Sequence, residues 1–209
     1  MQVKTRVWKD LSQEEQKRIL NRSEAIVENL LGEAGRIIEA VRKRGDEALM
    51  EFSARFDGAD LSKRGLRVRE DEIEEAEKAL SPELLKALNI AVENVTRFHR
   101  LQRPEGICLT ETTPGIFAGE RATAIPSAGL YVPHGKGSFP SMLYMLAVPA
   151  RLAGVPRICV TTPPNPDGSV DPACLYVSKL CGVSEVYRVG GAQAVAALAV
   201  GTESIALVD

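Results

Sequence analysis

Two glycine-rich segments have the residue types and spacing of turns that bind phosphate. The first runs from Gly129 to Gly137, and the second contains Gly190-Gly191. A turn of this kind brings backbone N–H groups close to an anion, and the dipole of the following helix adds attraction. Neither segment reads G-x-G-x-x-G, the usual dinucleotide fingerprint, and glycine is common in strand-to-helix turns for steric reasons. The residues therefore leave open both a bound phosphate and a plain strand-to-helix turn.

Residues that could bind a metal ion are few and scattered. His99 and His134 are the only histidines, and neither has an acidic partner at ligand spacing. His99 ends an apolar helical face, which favours a packed or capping role. The five carboxylates from Asp71 to Glu77 are spread around a predicted helix and indicate a solvated face. These residues predict no metal site in this chain.

The elements that must position the two turns alternate in type along the second half of the chain. Alternating strands and helices form a parallel sheet covered on both faces, which binds ligands at the carboxyl ends of its strands. The predicted strands cover residues 126–132, 157–161, 184–189 and 204–208, and the predicted helices cover residues 138–153, 170–181 and 191–200. Both glycine-rich turns therefore lie at the edge of the sheet where ligands bind.

The first 100 residues carry most of the charges and are typical of solvated helices. Ser12 with Glu15 predicts a capping box for a short helix, and Ser23 is predicted to cap a longer one. Arg44-Gly-Asp46 is predicted to end that helix and to begin the next, which ends at Asp57-Gly58.

Further helices are predicted over residues 70–80 and 82–102, and a hairpin is predicted to turn at Pro114-Gly115. The change in charge density predicts a boundary near residues 103–125. We therefore predict an N-terminal helical arm (1–22), a mostly helical region with a hairpin (23–125) and a parallel-sheet region (126–209).

The composition argues against several functional classes. The net charge of −2 gives no reason to expect binding to nucleic acid or to an anionic membrane. No apolar run approaches the roughly 20 residues that span a bilayer, and the N-terminus lacks the apolar stretch of a signal peptide. The four cysteines are widely spaced without a C-x-x-C pair, as expected of reduced, mostly packed thiols. We therefore expect a cytoplasmic protein.

The last helix and the end of the chain predict an incomplete sheet. Residues 192–200 are apolar almost all round, so this helix is expected to be buried. Asp209 comes just as the last predicted strand ends, and a parallel sheet cut there has an open edge and exposed apolar surface. We expect this chain to be part of a larger protein, whose remainder helps to cover the helix.

Several short motifs, in order along the chain, resemble those of histidinol dehydrogenase. They are Arg44-Gly-Asp-Glu-Ala-Leu49, Phe56-Asp57, Phe98-His99 with Gln102, Gly129-Leu-Tyr-Val-Pro133, Gly190-Gly-Ala-Gln-Ala194 and Gly201-Thr-Glu-Ser204. The resemblance covers essentially the whole chain in collinear order. The chain departs from the family at His134-Gly135, where the family usually has two glycines.

The resemblance implies an NAD-dependent, zinc-containing homodimer with Rossmann-like domains that oxidises L-histidinol through the aldehyde to L-histidine. It places the family's NAD contacts at Tyr131 and Gln193. From the residues alone, Tyr131 fits core packing as well as ligand contact, and Gln193 fits a helix surface. The family's zinc ligands and its Glu-His catalytic pair would lie beyond residue 209, so no residue here is assigned a catalytic or zinc-binding role.

The expected fold class is therefore α/β: an N-terminal helical region and hairpin, followed by a Rossmann-like parallel sheet truncated at its C-terminal end. Residues 1–209 alone are expected to be inactive, because the catalytic residues of the family are missing. Two other functions stay compatible with the sequence. One is a related dehydrogenase of a different small alcohol, and the other is a nucleotide-binding or structural fragment without catalysis.

Overall fold

The computed structural model describes residues 5–104, 106–134 and 137–209, with the backbone alone for residues 22–29. The described chain is mixed α/β, as predicted. Its helices are α1 (Gln13–Leu20), α2 (Arg22–Arg44), α3 (Asp46–Phe52), α4 (Glu70–Glu75), α5 (Pro82–Arg100), α6 (Pro140–Leu152), α7 (Pro172–Leu180) and α8 (Gly191–Val200). Its strands are β1 (Ile107–Thr113), β2 (Ile116–Arg121), β3 (Ser127–Tyr131), β4 (Arg157–Thr162) and β5 (Glu185–Arg188).

The helix boundaries in the first half follow the predicted caps with one exception. Ser12 and Glu15 form the predicted capping box at the start of α1. Ser81 accepts a hydrogen bond from the Leu84 N–H at the start of α5. The prediction that Ser23 caps α2 is wrong, because α2 begins at Arg22. The junction with α1 is a single residue, Asn21, which leaves no room for a cap at Ser23.

Gly45 separates α2 from α3, as Arg44-Gly-Asp46 predicts. Its φ of +52° favours glycine, and a Cβ atom there would lie 2.1 Å from a carboxylate oxygen of Glu203. After α3, one π-helical turn covers Ser53–Asp57 and ends at Gly58 with φ of +68°. The two glycines thus set both ends of this helical unit.

The sheet is parallel and has the strand order β3-β4-β5. Helices cover both of its faces, because successive side chains of each strand point to opposite sides. On one face, Val160 of β4 packs in a core built from α4, α5, α6 and α7. On the other face, Cys159 packs in a core built from α2, α3 and α8. Helices from the first hundred residues thus form part of both layers, and the predicted division into three regions stays a prediction.

Residues 66–69, for which no strand was predicted, extend this sheet at β5. Arg67 forms an antiparallel bridge with Tyr187. The Val68 N–H donates to the Val186 carbonyl, and the Arg188 N–H donates to the Leu66 carbonyl. This segment therefore pairs with the outer edge of β5.

The strand predicted over residues 204–208 is absent, and this segment is irregular. Its backbone N–H groups bond to α8 and to the start of β3, and they do not form a sheet ladder. The Val208 N–H donates to the Leu198 carbonyl of α8, and the Asp209 N–H donates to the Ser127 hydroxyl at the start of β3. Arg157 holds the same segment through the carbonyls of Ala206 and Leu207.

The cover of α8 also differs from the prediction. The helix is buried along Gln193, Ala194 and Ala196 to Leu198, as expected. Its cover is α2, however, which belongs to this chain. Val195 is exposed, so only a narrow stripe of α8 faces outwards.

The predicted hairpin is formed by β1 and β2, which pair only with each other among the described residues. Every residue of the two strands is exposed, including Ile107, Leu109 and Phe117. In the described part of the chain, none of the helices combines the length and apolar character needed to cross a membrane.

Candidate functional site

The carboxyl ends of the three parallel strands form the candidate site. Tyr131 ends β3 and lies in register with Thr161 of β4, which lies in register with Tyr187 of β5. Because the strands are parallel, the loops that follow them emerge at one edge of the sheet. The loop after β4 begins at Pro163, and the turn after β5 contains Gly190 and Gly191.

Close contacts require both glycines of the turn after β5. A Cβ atom on Gly190 would lie 2.3 Å from Cγ of Pro163, so glycine lets the loop after β4 pack against this turn. Gly191 has φ of +65°, a conformation that favours glycine, and it is the first residue of α8. The start of α8 is therefore reached by a tight, bare backbone turn, as the sequence predicted.

Tyr131 and Gln193 meet at Gly191. The Gly191 N–H donates a hydrogen bond of 3.2 Å to the hydroxyl of Tyr131. A Cβ atom on Gly191 would lie 2.7 Å from Oε1 of Gln193, so the amide of Gln193 folds back over the glycine. Tyr131 is half-buried, and Gln193 is 2% exposed rather than on the helix surface. The two predicted cofactor contacts thus lie together, and their role in binding NAD stays a prediction.

The first glycine-rich turn is described only in part. His134 is half-buried, whereas Gly135 and Lys136 lie outside the described residues. The following helix, α6, begins at Pro140, and Phe139 makes no side-chain cap for it. A phosphate role for this turn therefore stays a prediction.

Two polar groups that were not predicted as site residues lie near the carboxyl ends of the strands. Among the described residues, Oγ1 of Thr161 and Oδ2 of Asp57 are buried without a hydrogen-bond partner. Burial raises the pKa of the Asp57 carboxyl above its ordinary value, and the charge of His134 partly offsets the rise. The sequence offered one signal for Thr161, which is a polar residue at the end of an apolar strand.

An ion pair between Arg188 and Glu72 lies at the end of β5, just before the glycine turn. Arg188, the last residue of β5, is fully buried, and its guanidinium bonds to Glu72 and, at 2.5 Å, to the Arg67 carbonyl. Burial alone would raise the pKa of Glu72, but the hydrogen bonds from Arg188 and from the Arg69 N–H outweigh it and lower the pKa. Glu72 therefore does not belong to the solvated face that the acidic run predicted.

The described residues contain no group of three His, Cys, Asp or Glu side chains that could hold a metal ion. All four cysteines are unpaired, and only Cys108 is exposed. Burial raises the pKa of Cys159 and of Cys181 to about 11 and that of Cys174 to about 12, so these thiols are unreactive packing groups. The groups assembled at the site, a backbone N–H, a phenol and an amide, are suited to binding a polar ligand.

The comparisons with known proteins point to one family. The family model described as histidinol dehydrogenase matches residues 20–209. A histidinol dehydrogenase of Synechocystis sp. is 45% identical over 98% of this chain and 48% of its own length. A protein of Cereibacter sphaeroides named as a histidinol dehydrogenase homolog is 48% identical over 98% of this chain and 47% of its own length.

A solved structure agrees with the sequence comparisons. The crystal structure of histidinol dehydrogenase from Elizabethkingia anophelis superposes with a TM-score of 0.81 at 36% identity. The superposition covers 86% of this chain and 41% of that chain. This chain therefore spans about half the length of the relatives that it matches.

Proposed function

Since the chain belongs to the histidinol dehydrogenase family, we propose that it forms the amino-terminal, cofactor-binding part of an enzyme that oxidises L-histidinol through L-histidinal to L-histidine. The observation that carries the proposal is the meeting of Tyr131 and Gln193 at Gly191, on the carboxyl edge of a parallel sheet. That edge is where such sheets bind nucleotides. We further propose a cytoplasmic homodimer for the complete protein.

The residues of this edge fit NAD. The side chain of Gln193 is buried at the start of α8, and its amide oxygen lies close to Gly191. Tyr131 presents a phenolic hydroxyl at the rim, and Gly190-Gly191 allow close approach to the start of α8. When bound, NAD supplies the hydride acceptor for the alcohol and then for the hydrated aldehyde. The contribution of this chain is to bind and orient the cofactor.

Zinc does not fit the described residues, since they offer no three-ligand group. We therefore assign no step of the reaction to a metal held by this chain. The proposal places the zinc ligands, and the carboxylate and histidine that move protons, in polypeptide corresponding to the second half of the relatives. The catalytic site is thus complete only when that polypeptide is present.

A second candidate is a dehydrogenase that acts on a different small alcohol. It is favoured by the names of several relatives, which are called homologs of histidinol dehydrogenase. The residues described here contact the cofactor side of the proposed site, so they fit both substrates equally.

The test is NAD reduction by the complete protein that carries this chain at its amino end. We expect reduction with L-histidinol, loss of activity after chelation of zinc, and no activity from residues 1–209 alone. Reduction with other small alcohols but not with L-histidinol would favour the second candidate. Nucleotide binding without turnover of any alcohol would indicate a binding fragment without catalysis.

A further inference from the structure

The hairpin formed by β1 and β2 has two faces of different character. Residues that pair directly across an antiparallel ladder point to the same side of it. One side, called here the apolar face, therefore carries the pairs Ile107–Arg121, Leu109–Gly119 and Glu111–Phe117. Its large apolar side chains are between 60% and 63% exposed, and they are Ile107, Leu109 and Phe117. The apolar face is thus open to a partner.

The other side of the hairpin is more polar. Its paired positions hold Cys108 with Glu120 and Thr110 with Ala118. Ile116 is the large apolar residue on this side, and it lies next to the turn, beyond the irregularity in β1. A two-stranded hairpin is marginally stable alone and gains stability when a hydrophobic face packs against other protein. The apolar face is therefore the side that needs a partner.

Two charges of opposite sign lie at opposite ends of the apolar face. Arg121 is at the base of the hairpin, across from Ile107, and Glu111 is near the turn, across from Phe117. Oε1 of Glu111 accepts a hydrogen bond of 2.7 Å from the Gly115 N–H, which holds the carboxylate at the turn. When one such face is turned end over end against another, each positive end meets a negative end. The charge pattern is therefore complementary to itself.

The centre of the apolar face is flat. Gly119 has no side chain, and a Cβ atom there would lie 2.8 Å from Cδ2 of Leu109. Leu109 therefore lies over the glycine and covers the middle of the face. A second sheet can pack against such a surface at the usual spacing of about 10 Å.

We propose that the apolar face binds the same face of a second copy of this chain, with the two hairpins antiparallel around a two-fold axis. This axis brings Arg121 of each copy near Glu111 and Phe117 of the other, and an arginine is attracted both by a carboxylate and by an aromatic ring. A two-fold axis along the strands would instead bring Arg121 near Arg121 and Glu111 near Glu111, which is unfavourable. The inference gives the proposed homodimer a specific interface and does not depend on the proposed reaction.

The first experiment reverses one charge at a time in the 209-residue chain. In the Arg121→Glu variant, and in the Glu111→Lys variant, both cross-copy pairs of a dimer become pairs of like charge. We expect each variant alone to associate about tenfold more weakly than the unsubstituted chain, because two exposed pairs change sign in every dimer. An equal mixture of the two variants restores both pairs, so we expect it to form a heterodimer with nearly the original affinity.

Analytical ultracentrifugation measures these dissociation constants. The matched control is Lys86→Glu, which changes the net charge by the same amount as Arg121→Glu at an exposed position of α5. We expect the control to associate like the unsubstituted chain. A monomeric unsubstituted chain, equal effects of Arg121→Glu and Lys86→Glu, or a mixture that associates no better than its components would overturn the inference.

The second experiment needs no substitution. Cys108 is the exposed thiol, whereas burial raises the pKa of the other three thiols to about 11 or 12, so a nitroxide reagent labels Cys108 selectively. Cys108 lies on the polar side of the hairpin, outside the proposed contact. Two hairpins packed about 10 Å apart place the two labels about 20–30 Å from each other. Pulsed electron paramagnetic resonance that shows no distance in this range would contradict the inference.

The interface and the proposed function can fail separately. A complete protein that oxidises L-histidinol as a dimer, and that keeps its dimer when Arg121 is replaced by glutamate, would retain the proposed function and reject the hairpin interface. Heterodimer formation by the two charge-reversed variants, in a protein that oxidises no alcohol, would retain the interface and reject the proposed function.

Discussion

Gln193 is the residue whose surroundings best define the site. It lies in the first turn of α8, buried, with its amide folded over Gly191. A side chain in this position has few available rotamers, because the surrounding core restricts them. In the proposed function, the role of Gln193 is to hold the cofactor and not to react.

Replacing Gln193 with alanine is expected to raise the KM for NAD of the complete protein about three- to tenfold, with a smaller effect on kcat. The lost hydrogen bond is shared by the ground state and the transition state, and one such bond contributes about 0.5–1.5 kcal/mol. Steady-state kinetics at varied NAD measures both constants. The control is Gln13→Ala, which changes an exposed glutamine at the start of α1. A fall in kcat with an unchanged KM would contradict a binding role.

The sequence could place Tyr131 and Gln193 at one sheet edge, because a strand end and a helix start follow from periodicity. It could not show that Gln193 is buried. That burial depends on α8 facing the core formed with α2 and α3, which are distant in sequence. The orphaned hydroxyl of Thr161 escaped prediction for a similar reason, since only the packed sheet shows that it lacks a partner.

At the scale of elements, the Arg188–Glu72 pair joins α4 to the end of β5. Arg188 is fully buried, and the side chain of Glu72 is 16% exposed. Removing one partner of such a pair leaves a charge in the interior, which is more damaging than replacing both. The pair therefore fixes the position of the end of β5, from which the Gly190-Gly191 turn begins.

Glu72→Gln is expected to lower the free energy of unfolding by about 3 kcal/mol at neutral pH, because it leaves the Arg188 guanidinium buried without its counterion. Chemical denaturation measures this change. The matched control is Glu75→Gln on the same helix, which alters an exposed pair with Lys78 and is expected to change stability by less than about 1 kcal/mol. Equal effects of the two substitutions would contradict the role of the buried pair.

The effect of Glu72→Gln is also expected to depend on pH. The folded protein lowers the pKa of Glu72, so the stabilisation is fully present above its unfolded value of about 4.3. It is lost as the pH falls through the folded pKa, where the carboxylate becomes protonated. The difference in stability between the two proteins should therefore shrink in the acidic range and be constant from pH 6 to pH 8, at about its neutral value.

A second contact between distant elements caps α3. The carboxylate of Glu203 accepts a hydrogen bond of 2.8 Å from the Asp46 N–H, and the carboxylate of Asp46 accepts hydrogen bonds from the N–H and hydroxyl of Ser204. This reciprocal arrangement, the α3 clasp, joins two motifs that are distant in sequence, Arg44-Gly-Asp-Glu-Ala-Leu49 and Gly201-Thr-Glu-Ser204. It explains both motifs as structural, since neither reaches the candidate site.

Glu203→Ala is expected to destabilise the protein by about 1 kcal/mol, the typical value for loss of an N-terminal cap. Thermal unfolding measures the change. Glu33→Ala, in the exposed part of α2, serves as the control and should leave the midpoint within error. A loss of NAD binding without a loss of stability would show instead that the clasp belongs to the site.

The elements themselves were largely predictable, because helix caps and apolar periodicity are local signals. Two segments differ from their predicted structure. Residues 66–69 pair with β5 and residues 204–208 do not form a strand, and both outcomes depend on which distant backbone groups are free to bond. Local pattern cannot supply that information.

At the scale of the whole molecule, the hairpin formed by β1 and β2 carries an exposed apolar surface. Ile107, Leu109, Ile116 and Phe117 are each at least 60% exposed. A two-stranded hairpin is marginally stable alone, and its free edges and apolar side chains favour association. The sequence predicted exposed apolar surface at the cut sheet and at α8, and the exposed hairpin was not part of that prediction.

The 209-residue chain is expected to self-associate through the hairpin. Phe117→Thr removes one of its largest apolar groups and should shift the concentration at which association begins upwards by about ten- to a hundredfold, since a buried aromatic contributes about 1.5–3 kcal/mol. Val195→Thr, on the exposed stripe of α8, is the matched control and should have little effect. Light scattering over a series of concentrations compares the variants. A monodisperse monomer at all concentrations would contradict this expectation.

The contact of α2 with α8 also sets an order of events during synthesis. About 150 residues separate the end of α2 from the start of α8, and translation adds roughly 5–20 residues per second. The apolar face of α2 therefore leaves the ribosome about 7–30 s before its partner has been made, and the α3 clasp waits even longer for Glu203. Until α8 has been made, the apolar face of α2 therefore lacks its partner in the growing chain.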